Sequence, residues 1–114
     1  LLEGGEGNDI LDAYQGNDTL NGGLGDDQLR GGNGNDTYLF NEGDGIDTVI
    51  DNNGSEYLVF GETILEDDLV YSFSGEDLHI DFVNSTDRLI IQGMASGDLT
   101  RYTLIFKSQA AQAQ

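Results

Sequence analysis

A chain of 114 residues carries 22 acidic against 4 basic side chains, a formal net charge of −18, 17 glycines and neither proline nor cysteine. That balance excludes nucleic acid and anionic membrane as partners, since both demand a basic surface. The missing thiols exclude disulfides, Cys-ligated zinc and a thiol nucleophile.

Charge of this size would ordinarily signal disorder. Yet 37% of the residues are hydrophobic, and the acids recur at regular intervals rather than in blocks. The combination points to a chain whose charge is neutralised by something it binds. A single histidine gives no His-rich metal site, and no apolar run reaches the 18 residues of a membrane span. The opening Leu1-Leu2-Glu3-Gly4 is not a signal peptide and lacks an initiator Met, so the chain reads as a piece of a longer protein.

In chain order, Asp9, Asp18, Asp27 and Asp36 fall nine apart. Aligned on them, residues 4–12, 13–21, 22–30 and 31–39 form four copies of one unit. After Phe40 and Asn41 come a weaker copy at 42–50 and a degraded one at 51–59. Each copy has Gly fourth, an acid sixth and an apolar residue eighth. The eighth positions are Leu11, Leu20, Leu29, Tyr38, Val49 and Leu58, and Leu2 fits the eighth place of an earlier, truncated copy.

Glycine permits positive φ and close backbone approach, so six residues make a tight turn with inward-facing carbonyls. The other three make a strand too short to bury anything alone. Stacked copies can bury it, because each adds one apolar rung to a continuous core. Turn and strand alternate, so successive turns fall on opposite sides and copy n lies above copy n+2. Hard oxygen donors, carboxylates and carbonyls, suit Ca²⁺, which takes six to eight of them. Zinc and copper would prefer nitrogen and sulfur. Plain turns use the same residue types but do not keep a nine-residue register. Asp12, Asp26 and Glu6 read as a solvated face. Neither a phosphate loop nor an EF-hand loop is present.

These copies resemble the RTX family, the haemolysin-type repeat GGxGxDxUx. Copies one, three and four carry the whole pattern, while copy two has Ala13 and Tyr14 in place of the opening glycines. The resemblance implies an all-β fold, a right-handed parallel β-roll with Ca²⁺ between stacked turns. In the family an ion takes the second- and fourth-position carbonyls and sixth-position Asp of one turn. From the turn two copies on it takes the first- and third-position carbonyls and the sixth-position Asp. Carried across, one ion would use Gly5, Gly7 and Asp9 with Gly22, Leu24 and Asp27. A second would use Tyr14, Gly16 and Asp18 with Gly31, Asn33 and Asp36. Gly23, Gly25 and Asp27 would meet Glu42, Asp44 and Asp47, and Gly32, Gly34 and Asp36 would meet Asp51, Asn53 and Glu56. Asp27 and Asp36 would each bridge two of about four ions. Tyr14 would harm its site through backbone strain rather than a lost donor.

Past Leu58 the glycine period stops and apolar alternation predicts strands at 57–60, 69–73, 78–82, 88–92 and 102–106. Turns are expected at Ser74-Gly75, Asn84-Ser85 and Ser96-Gly97, and one helical turn over 63–69. Phe60-Gly61, Ile64, residues 66–69, 75–80 and 87–93 resemble the segment that follows RTX repeats in many members. Met94 stands where that pattern often has tryptophan. The division expected is a roll at 1–59, an antiparallel β cap at 60–108 covering the open end of the stack, and a fraying tail at 109–114. His79 alternates with Leu78 and Ile80 and reads as structural, and Tyr71 has no catalytic partner in the sequence.

Function follows from the repeats. Without ions the stacked acids repel and the core is too small to offset chain entropy. The resemblance implies a secreted, extracellular bacterial module with no enzymatic activity of its own, exported unfolded through the type I secretion apparatus and folding on Ca²⁺. The other reading is a calcium-dependent polysaccharide- or surface-binding module using Tyr14, Tyr38, Tyr57, Phe60, Phe73 and Phe82 as a stacking face.

Overall fold

The computed structural model describes residues 1–41, 43–50, 54–83, 85–92 and 102–107. Strands β1 (Leu2–Glu3), β2 (Ile10–Asp12), β3 (Thr19–Asn21), β4 (Gln28–Arg30), β5 (Thr37–Phe40), β6 (Ile46–Val49) and β7 (Glu56–Phe60) follow the repeats. A 3₁₀ turn, Glu66–Asp68, leads into β8 (Leu69–Ser74), β9 (Asp77–Phe82) and β10 (Arg88–Ile91), and β11 spans Tyr102–Phe106. The helical turn expected over 63–69 is that 3₁₀ turn. Met94, the Ser96-Gly97 turn, Asn84 and the tail 109–114 lie outside the described residues.

Consecutive repeat strands go to different sheets. One sheet runs β1-β3-β5-β7-β11 and the other β2-β4-β6-β10-β9-β8. Within the repeats every pairing is parallel and joins copy n to copy n+2. Leu2 lies opposite Leu20, Leu11 opposite Leu29 and Leu20 opposite Tyr38. The extra Phe40-Asn41 does not break this register. Leu29 still meets Val49 and Tyr38 still meets Leu58; Phe40 lengthens β5 and pairs with Phe60, and Asn41 lies in the connection. Eighth-position side chains therefore face one another rung by rung, and Leu20, Leu29, Tyr38, Val49 and Leu58 are fully buried.

Tyr38 shows how a polar tip fits a dry stack. Its ring replaces a leucine in the core, and its hydroxyl accepts the Gly31 amide N–H at 3.0 Å. A buried tyrosine needs such a partner.

Among the described residues antiparallel pairing is confined to β8, β9 and β10. β10 also pairs parallel with β6, and β11 pairs parallel with β7. An antiparallel cap is the expectation for 60–108, but β10 and β11 of that segment prolong the parallel sheets. The reason is the core. Phe40, Phe60, Phe82 and Phe106 gather where the leucine rungs end, with Phe60 stacked on Phe106 at 5.0 Å and edge-on to Phe82 at 6.1 Å. Only a β11 laid beside β7 puts Phe106 opposite Phe60. A single buried cluster runs from Leu20 to Phe106. Arg88 and Asp81 form a half-exposed cross-strand ion pair at 2.6 Å, worth at most about 1 kcal/mol. His79 sits half-buried on the face of β9 opposite Leu78 and Ile80.

Phe60→Ala is expected to lower stability by about 3–5 kcal/mol in calcium, the range for deleting a buried aromatic side chain. Leu24→Ala, at a half-exposed turn position, should change it by less than about 0.5 kcal/mol. Urea denaturation of the two variants side by side checks the difference.

Candidate metal centre

Each turn is built on backbone positions that side chains avoid. The second and fourth residues take positive φ, as at Gly23 (78°) and Gly25 (115°). Among the described residues Tyr14, at 68°, is the one non-glycine that does so. First-position glycine has a separate cause. The sixth-position carboxylate folds back over its own turn, and a Cβ on Gly22 would collide with the Asp27 carboxylate.

Turns of one side are stacked through those carboxylates. Asp27 Oδ1 accepts the Asp9 N–H at 2.7 Å, and Asp47 Oδ1 accepts the Asp27 N–H at 3.0 Å. On the other side Asp36 Oδ1 accepts the Asp18 N–H at 2.9 Å. One column is thus Asp9, Asp27 and Asp47, and the other holds Asp18 and Asp36 with Glu56 in the sixth place of its turn. Asp27, Asp36, Asp47 and Glu56 are at most 3% exposed.

The second oxygens test whether a cation fits. Asp9 Oδ2, Asp18 Oδ2 and Asp27 Oδ2 are buried and take no hydrogen bond. Leaving a buried charged acceptor unsatisfied costs about 1–3 kcal/mol or more. Burial, then the neighbouring Asp9 and Asp26 charges, pushes the Asp27 carboxyl above its ordinary range. Burial raises Asp47 further, to about 8, with Asp27 and Asp44 adding repulsion. No three or more His, Cys, Asp or Glu side chains among the described residues converge as a metal cluster. Any ion here must complete its shell with main-chain carbonyls, which is the donor set Ca²⁺ accepts.

A family comparison decides what such turns are. The model of the RTX calcium-binding nonapeptide repeat matches residues 2–38 in four copies. Residues 2–38 are RTX repeats. RTX nonapeptide repeats bind Ca²⁺, and the match covers the turns in which the buried, unpartnered carboxylate oxygens lie. No curated protein matches the chain.

The RTX turns bring several of the expected ligands together. Gly5, Gly7 and Asp9 lie against the turn of Gly22, Leu24 and Asp27, close enough that a Cβ on Gly25 would strike the Gly7 carbonyl. Gly16 and Asp18 lie against the turn of Gly31, Asn33 and Asp36 in the same way. The Tyr14 carbonyl, expected to face an ion, accepts the Asn33 N–H at 2.8 Å. Gly23, Gly25 and Asp27 meet Asp44 and Asp47, and Gly32, Gly34 and Asp36 stand above the turn of Gly54 and Glu56. Glu42, Asp51 and Asn53 lie outside the described residues.

Two features escape the nonapeptide pattern. Asp44 was expected to offer a carbonyl, but its carboxylate is itself buried, with Oδ2 accepting the Asn41 N–H at 2.9 Å. Burial and the Asp87 charge raise its pKa. Asp87 closes the turn of the fifth copy, accepting N–H from Gly43 at 2.8 Å and Gly45 at 2.9 Å. The Arg88 N–H takes the Gly45 carbonyl at 3.0 Å, so that turn has little left to offer a further ion. Asp44, Asp47, Asp68 and Asp87 line a cavity walled by Phe40, Ile64 and Phe82. The acid at position 44 sits off the sixth-position register, and Asp87 lies outside the repeats, so periodicity marks neither.

The raised Asp47 pKa sets a pH dependence. A carboxyl whose folded-state pKa rises from 3.8 to about 8 contributes stability below pH 4, lost as pH climbs through 8. In chelator the far-UV β-signal should therefore be strongest near pH 4 and decline towards pH 8. Millimolar calcium should abolish the decline, because the ion stabilises the charged form.

Tyr14→Gly should stabilise the calcium-loaded fold by about 0.5–1 kcal/mol. It removes roughly 1–2 kcal/mol of left-handed strain and returns part of that as unfolded-state entropy. A higher urea midpoint in calcium is the expected reading, and an unchanged or lower one would refute the strain account of copy two.

Proposed function

We propose that this chain is a calcium-dependent folding module of a secreted RTX protein. The single observation behind this reading is the set of buried Asp9, Asp18 and Asp27 Oδ2 atoms that find no donor within the described residues. A cation between turns supplies what they lack. One ion per stacked pair of turns gives four, at β2–β4, β3–β5, β4–β6 and β5–β7. Four divalent ions would bring the formal charge from −18 to −10. Binding free energy then becomes folding free energy. The parallel strand alternation supports a right-handed roll over 1–59, and β8 to β10 with the Asp87 contact support a capping role for 60–108.

Extracellular calcium modules bind at about 10⁻⁴–10⁻³ M. A module in that range stays unfolded at cytosolic calcium and folds outside the cell. That behaviour suits export as an extended chain through a type I secretion channel. Among the described residues no helix is long and apolar enough to cross a membrane. The module carries no catalysis of its own in this reading, and any activity would belong to another part of the protein. The polysaccharide reading gains nothing from the aromatic side chains. Tyr38 and Phe60 are fully buried, and the exposed Tyr14, Tyr57 and Phe73 stand on a turn, on β7 and on β8 of the other sheet.

Circular dichroism at neutral pH should show a disordered chain in chelator and a cooperative gain of β-signal with calcium. Native mass spectrometry at saturation should count about four ions, one for each stacked pair of turns. A folded spectrum in excess chelator that ignores added calcium would overturn the proposal.

A further inference from the structure

The fifth residue of the nonapeptide belongs to no expected ligand set, yet its side chain makes a regular contact between turns. Asn8 Oδ1 accepts the Asp26 N–H at 2.8 Å, and Asn17 Oδ1 accepts the Asn35 N–H at 2.8 Å. Asp26 Oδ1 accepts the Ile46 N–H at 2.8 Å, and Asn35 Oδ1 accepts the Ser55 N–H at 2.9 Å. The last two cross the two-residue insertion, and the distance does not change. All four side chains are exposed, so core packing does not hold them there.

The direction of these bonds matters. A sixth-position carboxylate reaches back to the preceding turn of its column, whereas a fifth-position side chain receives the following one. Asp26 N–H therefore points to Asn8 while the adjacent Asp27 N–H points to Asp47. Consecutive amides pin the interior turn to both neighbours. The sixth-position carboxylates would be shared with the cation. The fifth-position bond uses no atom an ion needs. Together with the backbone bonds between stacked copies it can set the gap between turns before the ion arrives.

We propose that Asn8, Asn17, Asp26 and Asn35 are positioning residues that fix the spacing of the inter-turn gaps and thereby their preference for Ca²⁺ over larger cations. The inference rests on the calcium reading above and adds the residues that size its sites. Cation selectivity follows cavity size and site flexibility. Three of the four positions carry Asn, a neutral acceptor beside a sixth-position carboxylate. Asp26 shows that a charged acceptor of the same shape also serves.

The test compares Ca²⁺ and Sr²⁺ titrations of the full chain, followed by circular dichroism, for wild type, Asn17→Ala, Asn35→Ala and Asn17→Asp. Losing one inter-turn hydrogen bond should raise the calcium midpoint about fivefold in each alanine variant. The ratio of strontium to calcium midpoints should fall at least about twofold, as a looser gap admits the larger ion. A general loss of stability shifts both midpoints together and leaves the ratio alone. Asn17→Asp should restore the wild-type ratio. An unchanged ratio in both alanine variants, or an Asp variant that behaves like alanine, would overturn the proposal. Should Asn17→Ala stay unfolded in saturating calcium, Asn17→Asp decides: folding with the wild-type ratio upholds the proposal, and failure to fold overturns it. A wild-type chain indifferent to calcium would instead defeat the calcium reading itself.

Discussion

Like charges stacked between buried turns are the constraint from which this fold takes its form. Asp9, Asp27 and Asp47 are held one above another by their own Oδ1 bonds to backbone amides. Their remaining charge has nowhere to go, and burial and mutual repulsion drive Asp27 and Asp47 towards the protonated state. A low-dielectric gap magnifies that cost, and it magnifies equally the gain when a divalent cation enters.

The rest of the repeat follows from keeping that gap narrow. Glycine occupies the places where a Cβ would strike the turn's own carboxylate or the carbonyl of the turn above. Three-residue strands suffice because the eighth-position side chains form a continuous apolar column between the sheets. Each rung contributes about 1.5–3 kcal/mol of burial, which is little for one copy and substantial for the stack. Copy two departs from the glycine rule at Tyr14 and keeps a positive φ there regardless, with the turn of copy four bonded to it through Asn33 and Asp36.

The two chemistries meet at the fifth copy. Repeat turns above it present carbonyls and unpartnered carboxylate oxygens. Below it, Asp87 supplies a carboxylate from the chain itself, and Gly43 and Gly45 spend their amides on it. The leucine column gives way there to the phenylalanine cluster around Phe60. The stack of repeat turns thus passes into a body held by ordinary apolar packing and strand pairing, with β10 and β11 continuing the sheets that the repeats begin.

Much of this is written in the residue order. A nine-residue period with glycine fourth and an acid sixth dictates both the turn and the strand, so the n to n+2 stacking and the buried eighth positions could be read from Leu11 to Leu58. The strands at 56–60, 69–74, 77–82, 88–91 and 102–106 could be read too, since alternation is a local property. What only the tertiary structure decided are the long-range choices. Periodicity does not say that β10 and β11 lie parallel to β6 and β7, because strand direction is set by which core a side chain such as Phe106 must reach. It does not mark Asp87 or the buried Asp44 carboxylate, because neither holds the sixth position of a copy. The fifth-position asparagines were visible as a recurrence, but a recurrence of polar, exposed residues looks like a solvated surface until the turn stacked against it places an N–H within 2.8 Å.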